Sequence, residues 1–185
     1  DALRLALVGS ANDAASALAE ALGRQWGAST FEDAMMLFSQ RAAKKAREIG
    51  MVDSRFENPT GLDASNHITT AHDLFGLAEY IWEYHPALWE ITLHREVIVD
   101  PPSDSEYGFE TPIRMPSTNI LLDEFPALLG GKTGWTDEAG ETLILLYPVR
   151  KDLVSLNIAV IIILGSQERF EDGREIIRWL EEAFP

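Results

Sequence analysis

Residues Ile158 to Leu164 are apolar at every position. A strand with one wet face alternates apolar and polar side chains, so an unbroken run of this kind predicts a strand covered on both faces. Two further strands are expected before it, Lys132 to Trp135 and Thr142 to Val149, and the last one runs from Leu153 to Leu164. The tight Arg150-Lys151-Asp152 connection predicts a hairpin between the second and the third. Glu168 to Phe184 reads as an amphipathic helix able to supply one cover for this sheet.

The N-terminal half is helical in pattern. Ala2 to Gly9 reads as the end of a buried helix. Asn12 or Asp13 then caps a helix from Ala14 to Leu22 that Gly23 closes. Ser29 with Glu32 forms a capping box for a helix from Thr30 to Ile49. Asn58-Pro59-Thr60-Gly61 is turn chemistry. A helix from Thr70 to His85 begins on Thr69 or Thr70 and stops at Pro86. Beyond it lie a short helix near Leu88 to His94, a strand from Glu96 to Asp100 and a loop at Pro101-Pro102-Ser103-Asp104-Ser105. Helices first, then an antiparallel sheet closed by a C-terminal helix, make the chain α+β.

At 185 residues the chain is expected to form one domain with a sizeable core. Thirty acidic against 15 basic residues give a net charge of −15, and no basic patch is long enough to track phosphates. Nucleic acid is therefore excluded as an expected partner. With no cysteine there is no disulfide, thiolate metal site or cysteine nucleophile. His67 and His72, five apart with Asp73 beside them, lack the four-residue spacing that stacks two metal ligands on one helix face. The expectation is no metal and no cofactor.

The chemistry-bearing stretch is Gly130-Gly131-Lys132-Thr133-Gly134-Trp135-Thr136. A phosphate-cradling loop would need a glycine at position 126 and a helix afterwards, whereas Pro126 stands there and strand-like residues follow. Lys-Thr-Gly on a strand has another chemistry: a cation and a hydroxyl that hold an acyl-donor peptide, with a glycine permitting close backbone approach.

Three more stretches accompany it in order: Ser10-Ala11-Asn12-Asp13, Phe56-Glu57-Asn58-Pro59-Thr60-Gly61-Leu62, and His67-Ile68-Thr69-Thr70-Ala71-His72-Asp73-Leu74. With the lysine motif they resemble the serine-type D-alanyl-D-alanine carboxypeptidases, the low-molecular-mass penicillin-binding proteins. The likeness continues through the apolar strand, Gly165 and Arg169-Phe170. It implies a penicillin-binding/β-lactamase-like transpeptidase fold and an extracytoplasmic location. The implied partners are a peptidoglycan stem peptide ending in D-Ala-D-Ala and, for a whole domain, β-lactams.

By matching position, Ser10 resembles the serine that relays a proton toward the leaving nitrogen, and Asn12 the asparagine that binds the substrate's amide backbone. Lys132 corresponds to the residue supplying positive potential. Thr133 and Arg169 correspond to the groups holding the terminal carboxylate. Gly134 permits the substrate's approach, and a backbone N–H near Trp135 or Thr136 is an expected oxyanion donor. His67 is expected to be structural.

The family's Ser-x-x-Lys pair, whose spacing puts nucleophile and base on one helix face, is not found: none of the eleven serines is followed by lysine at the third place. The chain is accordingly expected to be the C-terminal part of a catalytic domain, incomplete at its N-terminus, with the nucleophile upstream or on another chain. A non-catalytic binder or regulator of cell-wall peptides is the alternative. Uncovered apolar strand surface would then drive self-association.

Overall fold

The computed structural model describes residues 1–100, 111–150 and 156–184. The expected Pro101–Ser105 loop, and all of the Arg150–Asp152 connection after Arg150, lie outside them. Helices dominate the first half: α1 (Ala2–Val8), α2 (Asn12–Gln25), α3 (Phe31–Glu48), α4 (Ala71–Tyr84) and α5 (Ala87–Ile91). After β1 (Glu96–Val99), β2 (Ile113–Pro116) and α6 (Leu121–Glu124) come β3 (Gly130–Thr136), β4 (Gly140–Arg150), β5 (Leu156–Ser166) and α7 (Arg169–Ala183).

Several helix boundaries differ from the expected ones for local reasons. Helix α2 runs through Gly23 to Gln25. Gly23 is a crossing point, since a Cβ there would fall 2.5 Å from Ala34 Cα, and its missing side chain lets α2 and α3 pack closely. Asn12 is the first helical residue of α2 and Ala11 the cap, while Asp13 in the first turn complements the positive helix end. The cap of α3 is Thr30, one residue past the expected Ser29: its Oγ1 accepts from Asp33 N–H at 3.1 Å. Thr70 caps α4 in the same way, accepting from Asp73 N–H at 3.1 Å. Helix α5 ends at Ile91, short of the expected Leu88–His94 segment, and at its cap the Thr92 hydroxyl donates to Trp89 O at 2.6 Å.

Strands β3, β4 and β5 form an antiparallel sheet in that order, with β4 in the centre. Its register pairs Thr133 with Leu143 and Leu146 with Val160. A second, two-stranded ladder joins β1 and β2, and neither β2 nor α6 is anticipated by the sequence pattern. One face of the main sheet is sealed by α7 and α6: Leu121, Leu143, Leu145, Ile161, Ile163, Ile177 and Leu180 form a continuous buried cluster. On the opposite face Leu146 packs with Ala78 of α4 and Trp89 of α5. Both covers that the apolar β5 demanded are thus helical.

Candidate active site

Strand β3 is an edge of the main sheet, and its free side is what builds the site. Gly131 N–H points away from β4, donating to Thr92 Oγ1 at 2.9 Å. Two residues on, Thr133 C=O also points outward, accepting from Lys132 Nζ at 2.6 Å. Backbone groups alternate sides along a strand, so Trp135 N–H belongs to the same open edge. Thr92 closes the edge at Gly131, and the accessible stretch starts beyond it. Trp135 itself is 63% exposed. A Cβ on Gly134 would lie 2.5 Å from Thr142 Oγ1, so a side chain there would have to displace that hydroxyl.

Facing this edge is the turn between α1 and α2. Lys132 Nζ donates to Ser10 Oγ at 2.7 Å, joining residues 122 apart in sequence. Ser10 has φ of +55°, the only non-glycine residue with positive φ among those described. Left-handed backbone at a non-glycine residue costs ~1–3 kcal/mol and persists only where the surroundings enforce it. The turn is held across Ser10 by Ala11 N–H donating to Leu5 O at 3.2 Å, and beside it Thr118 N–H donates to Val8 O at 3.1 Å while its hydroxyl lies 2.6 Å from Thr133 Oγ1. Thr118 therefore ties the end of α1 to β3, with Ser10 in between. Asn12, two residues on, is exposed at the start of α2, with no hydrogen bond to Ser10 or Lys132.

Burial lowers the Lys132 ammonium from its ordinary value to about 8, and the positive charge of Arg169 adds to the effect. Arg169 opens α7 and donates through Nη1 to Gly134 O at 3.2 Å. Its backbone N–H donates to Glu141 Oε2 at 2.8 Å, and Nη1 lies 3.6 Å from Glu141 Oε1. Lys132 thus joins the Ser10 turn to β3, and Arg169 joins the same strand at Gly134.

The two middle motifs frame this edge. Asp73 is 2% exposed and accepts from Asp53 N–H and Ser54 Oγ, so α4 anchors the segment that follows α3. Those donors, with Ser54 first, hold the Asp73 carboxyl below the usual range. Asn58 Oδ1 takes the N–H groups of Thr60 and Gly61, and past this turn Asp63 accepts from Thr136 Oγ1 at 2.6 Å. His67 stands edge-on to Phe56 at 5.8 Å, with burial lowering its imidazole pKa. Thr92, Thr118, Asp63 and Glu141 are contributors the motifs did not name. Only Glu141 had any signal in the sequence, an acidic residue placed among strand residues beside the lysine motif.

An antiparallel sheet between helices, with Lys-Thr-Gly on its edge strand and Ser-x-Asn on the facing helix turn, is the penicillin-binding/β-lactamase-like fold. The sequence profile of peptidase family S11, D-alanyl-D-alanine carboxypeptidase, matches residues 1–161, and the chain belongs to that family. A D-alanyl-D-alanine endopeptidase of Pseudomonas aeruginosa is 33% identical over 98% of this chain and 53% of its own length. Penicillin-binding protein D2 of Listeria monocytogenes, solved with cefotaxime bound, superposes with a TM-score of 0.68 at 29% identity, covering 95% of this chain and 63% of that one. The Streptomyces K15 DD-transpeptidase shares the fold, with a TM-score of 0.79 at 20% identity over 96% of this chain and 65% of that one. The chain spans about half the length of the endopeptidases it matches.

Proposed function

We propose that residues 1–185 are the C-terminal portion of a DD-peptidase catalytic domain and form the substrate-binding wall of its cleft. The substrate is a peptidoglycan stem peptide ending in D-Ala-D-Ala, cleaved through a serine acyl-enzyme whose nucleophile these residues do not supply. The observation that carries this reading is the 2.7 Å bond from Lys132 Nζ to Ser10 Oγ, which joins two distant motifs into one site.

Each group in the cleft has a task that its chemistry suits. Ser10, held beside an amine whose pKa is lowered to about 8, passes a proton toward the leaving nitrogen. Lys132 supplies positive potential and orients that hydroxyl. Trp135 N–H is assigned the oxyanion from its place one residue past the Lys-Thr-Gly motif. Thr133 and Arg169 hold the terminal carboxylate, and Asn12 is assigned the substrate's amide backbone from its place in the motif. Gly134 leaves the peptide room to lie along β3. Such chemistry belongs outside the cytoplasm, where the cell wall is. Residues 1–185 alone are expected to be inactive.

A fluorescent penicillin tests the reading. Protein translated from the uninterrupted reading frame that contains this chain is expected to be labelled covalently, and Lys132→Ala to cut the labelling rate by about 100-fold, within the range of a general acid–base contribution. Residues 1–185 alone are expected to stay unlabelled. Labelling of that chain would overturn the account of the nucleophile. An unlabelled longer protein that still binds D-Ala-D-Ala peptide would make this a binder without turnover.

A further inference from the structure

The terminus-binding end of the cleft contains a carboxylate of its own. Glu141 is the second residue of the central strand β4 and pairs in register with Trp135 of β3. One of its oxygens is fixed by the Arg169 N–H at 2.8 Å, and the other stands 3.6 Å from Arg169 Nη1, beyond hydrogen-bond reach but within ionic contact. The two side chains are 15% and 30% exposed, so solvent screens this contact less than it would a surface pair. The guanidinium is meanwhile undersaturated. Among the described residues its one side-chain hydrogen bond goes to Gly134 O, and its Nε is buried without a partner.

We infer that Glu141 is a specificity-determining residue: an internal carboxylate that competes with the substrate's terminal carboxylate for Arg169. This rests on the function proposed above. A peptide ending in a free carboxylate gains the unused donors of Arg169, but it brings a second negative charge up to Glu141. A peptide whose end is a neutral amide meets no such repulsion. Glu141 therefore narrows the preference for a free C-terminus and lets the cleft accept peptides in which that end is substituted.

The test is calorimetric binding of a diacyl-D-Ala-D-Ala peptide and of its C-terminal amide to the chain and to Glu141→Gln. Glutamine keeps an acceptor for the Arg169 N–H while removing the charge, and thermal unfolding of both proteins checks that the fold is retained. The acid-to-amide affinity ratio is expected to rise about two- to fivefold in the variant, the effect of removing one partly screened charge. An unchanged ratio would overturn the inference and leave the site's assignment standing. A lower ratio would overturn it too, showing that Glu141 positions Arg169. No binding of either peptide to either protein would overturn the underlying function and the inference with it.

Discussion

The two faces of the main sheet are built from the same strands and finished differently. Toward α7, Leu143, Leu145, Ile161 and Ile163 are buried in one cluster with Ile177 and Leu180. Toward α4, an open groove of about 510 Å³ lies beside the Ala78–Leu146 contact, lined by Phe75 and Trp82 of the helix and Ile158 and Val160 of β5. Phe75 is 42% exposed and Trp82 is 41% exposed. Alternation along β5 sends similar aliphatic side chains to both sides, so composition does not explain the difference. What differs is the partner helix: α7 lies along β4 and β5, whereas α4 leaves apolar side chains of both surfaces uncovered. A sheet can be buried by design on one face and left unfinished on the other.

The largest expected effect lies on the sealed face. Leu145→Ala, at a residue 0% exposed, should cost about 2–5 kcal/mol in denaturant unfolding, because the surrounding cluster cannot collapse into the space. The corresponding truncation on the open face, Val160→Ala, should cost about 1 kcal/mol, since groove space already lies beside it. Equal losses at the two positions would erase the contrast between the faces.

Lys132 gives the next effect, in a pH profile. Its charged form is disfavoured in the fold, with the pKa lowered from 10.5 to about 8. Below about 8 both folded and unfolded chains carry the proton, and the cost of burying the charge is present in full. Between about 8 and 10.5 the unfolded chain holds a proton that the folded chain has shed, so stability rises with pH across that window. Lys132→Met should remove this rise and be more stable than the parent at pH 7. A parent-minus-variant difference that stays flat from pH 7 to 10.5 would contradict the burial.

A cap change is smaller. Thr70→Ala should cost about 1 kcal/mol, by loss of the acceptor for Asp73 N–H. Last in size for stability is the pair Phe75→Ser and Trp82→Ser, each expected within about 0.5 kcal/mol of the parent because these side chains are half in water. Sedimentation is the more sensitive readout: the self-association expected from uncovered apolar surface should be weaker in both variants than in the parent. Association unaffected by either would assign the contact to another surface.

These contrasts also separate what the sequence made legible from what it hid. The three strands of the main sheet, α7 and the cap on Thr70 follow from periodicity and side-chain chemistry that a short window contains. So do the four motifs. Gly23 misled because a glycine after an apolar run ordinarily ends a helix, whereas here the reason for it is Ala34 on the neighbouring helix. The β2 strand was invisible because four residues, Ile113 to Pro116, carry too little pattern; only pairing with β1 makes them a strand. In the site, Ser10 and Lys132 could be named from motifs, but Thr118 and Thr92 could not. Their roles consist of hydrogen bonds to segments far away in the chain, and threonine in a loop has no local mark that distinguishes such a role. Glu141 lay in plain view in the sequence, yet its meaning depends on Arg169 reaching back across the sheet.

The central claim is that the Ser10 turn, strand β3 and the start of α7 make one peptide-binding edge. Nuclear magnetic resonance of the labelled chain, titrated with diacyl-D-Ala-D-Ala, tests it directly. The backbone amides of Ser10, Thr133, Trp135 and Arg169 should shift together with a single saturation curve, while those of α3 stay in place. Shifts confined to one of the three segments, or none at all at millimolar peptide, would contradict the account.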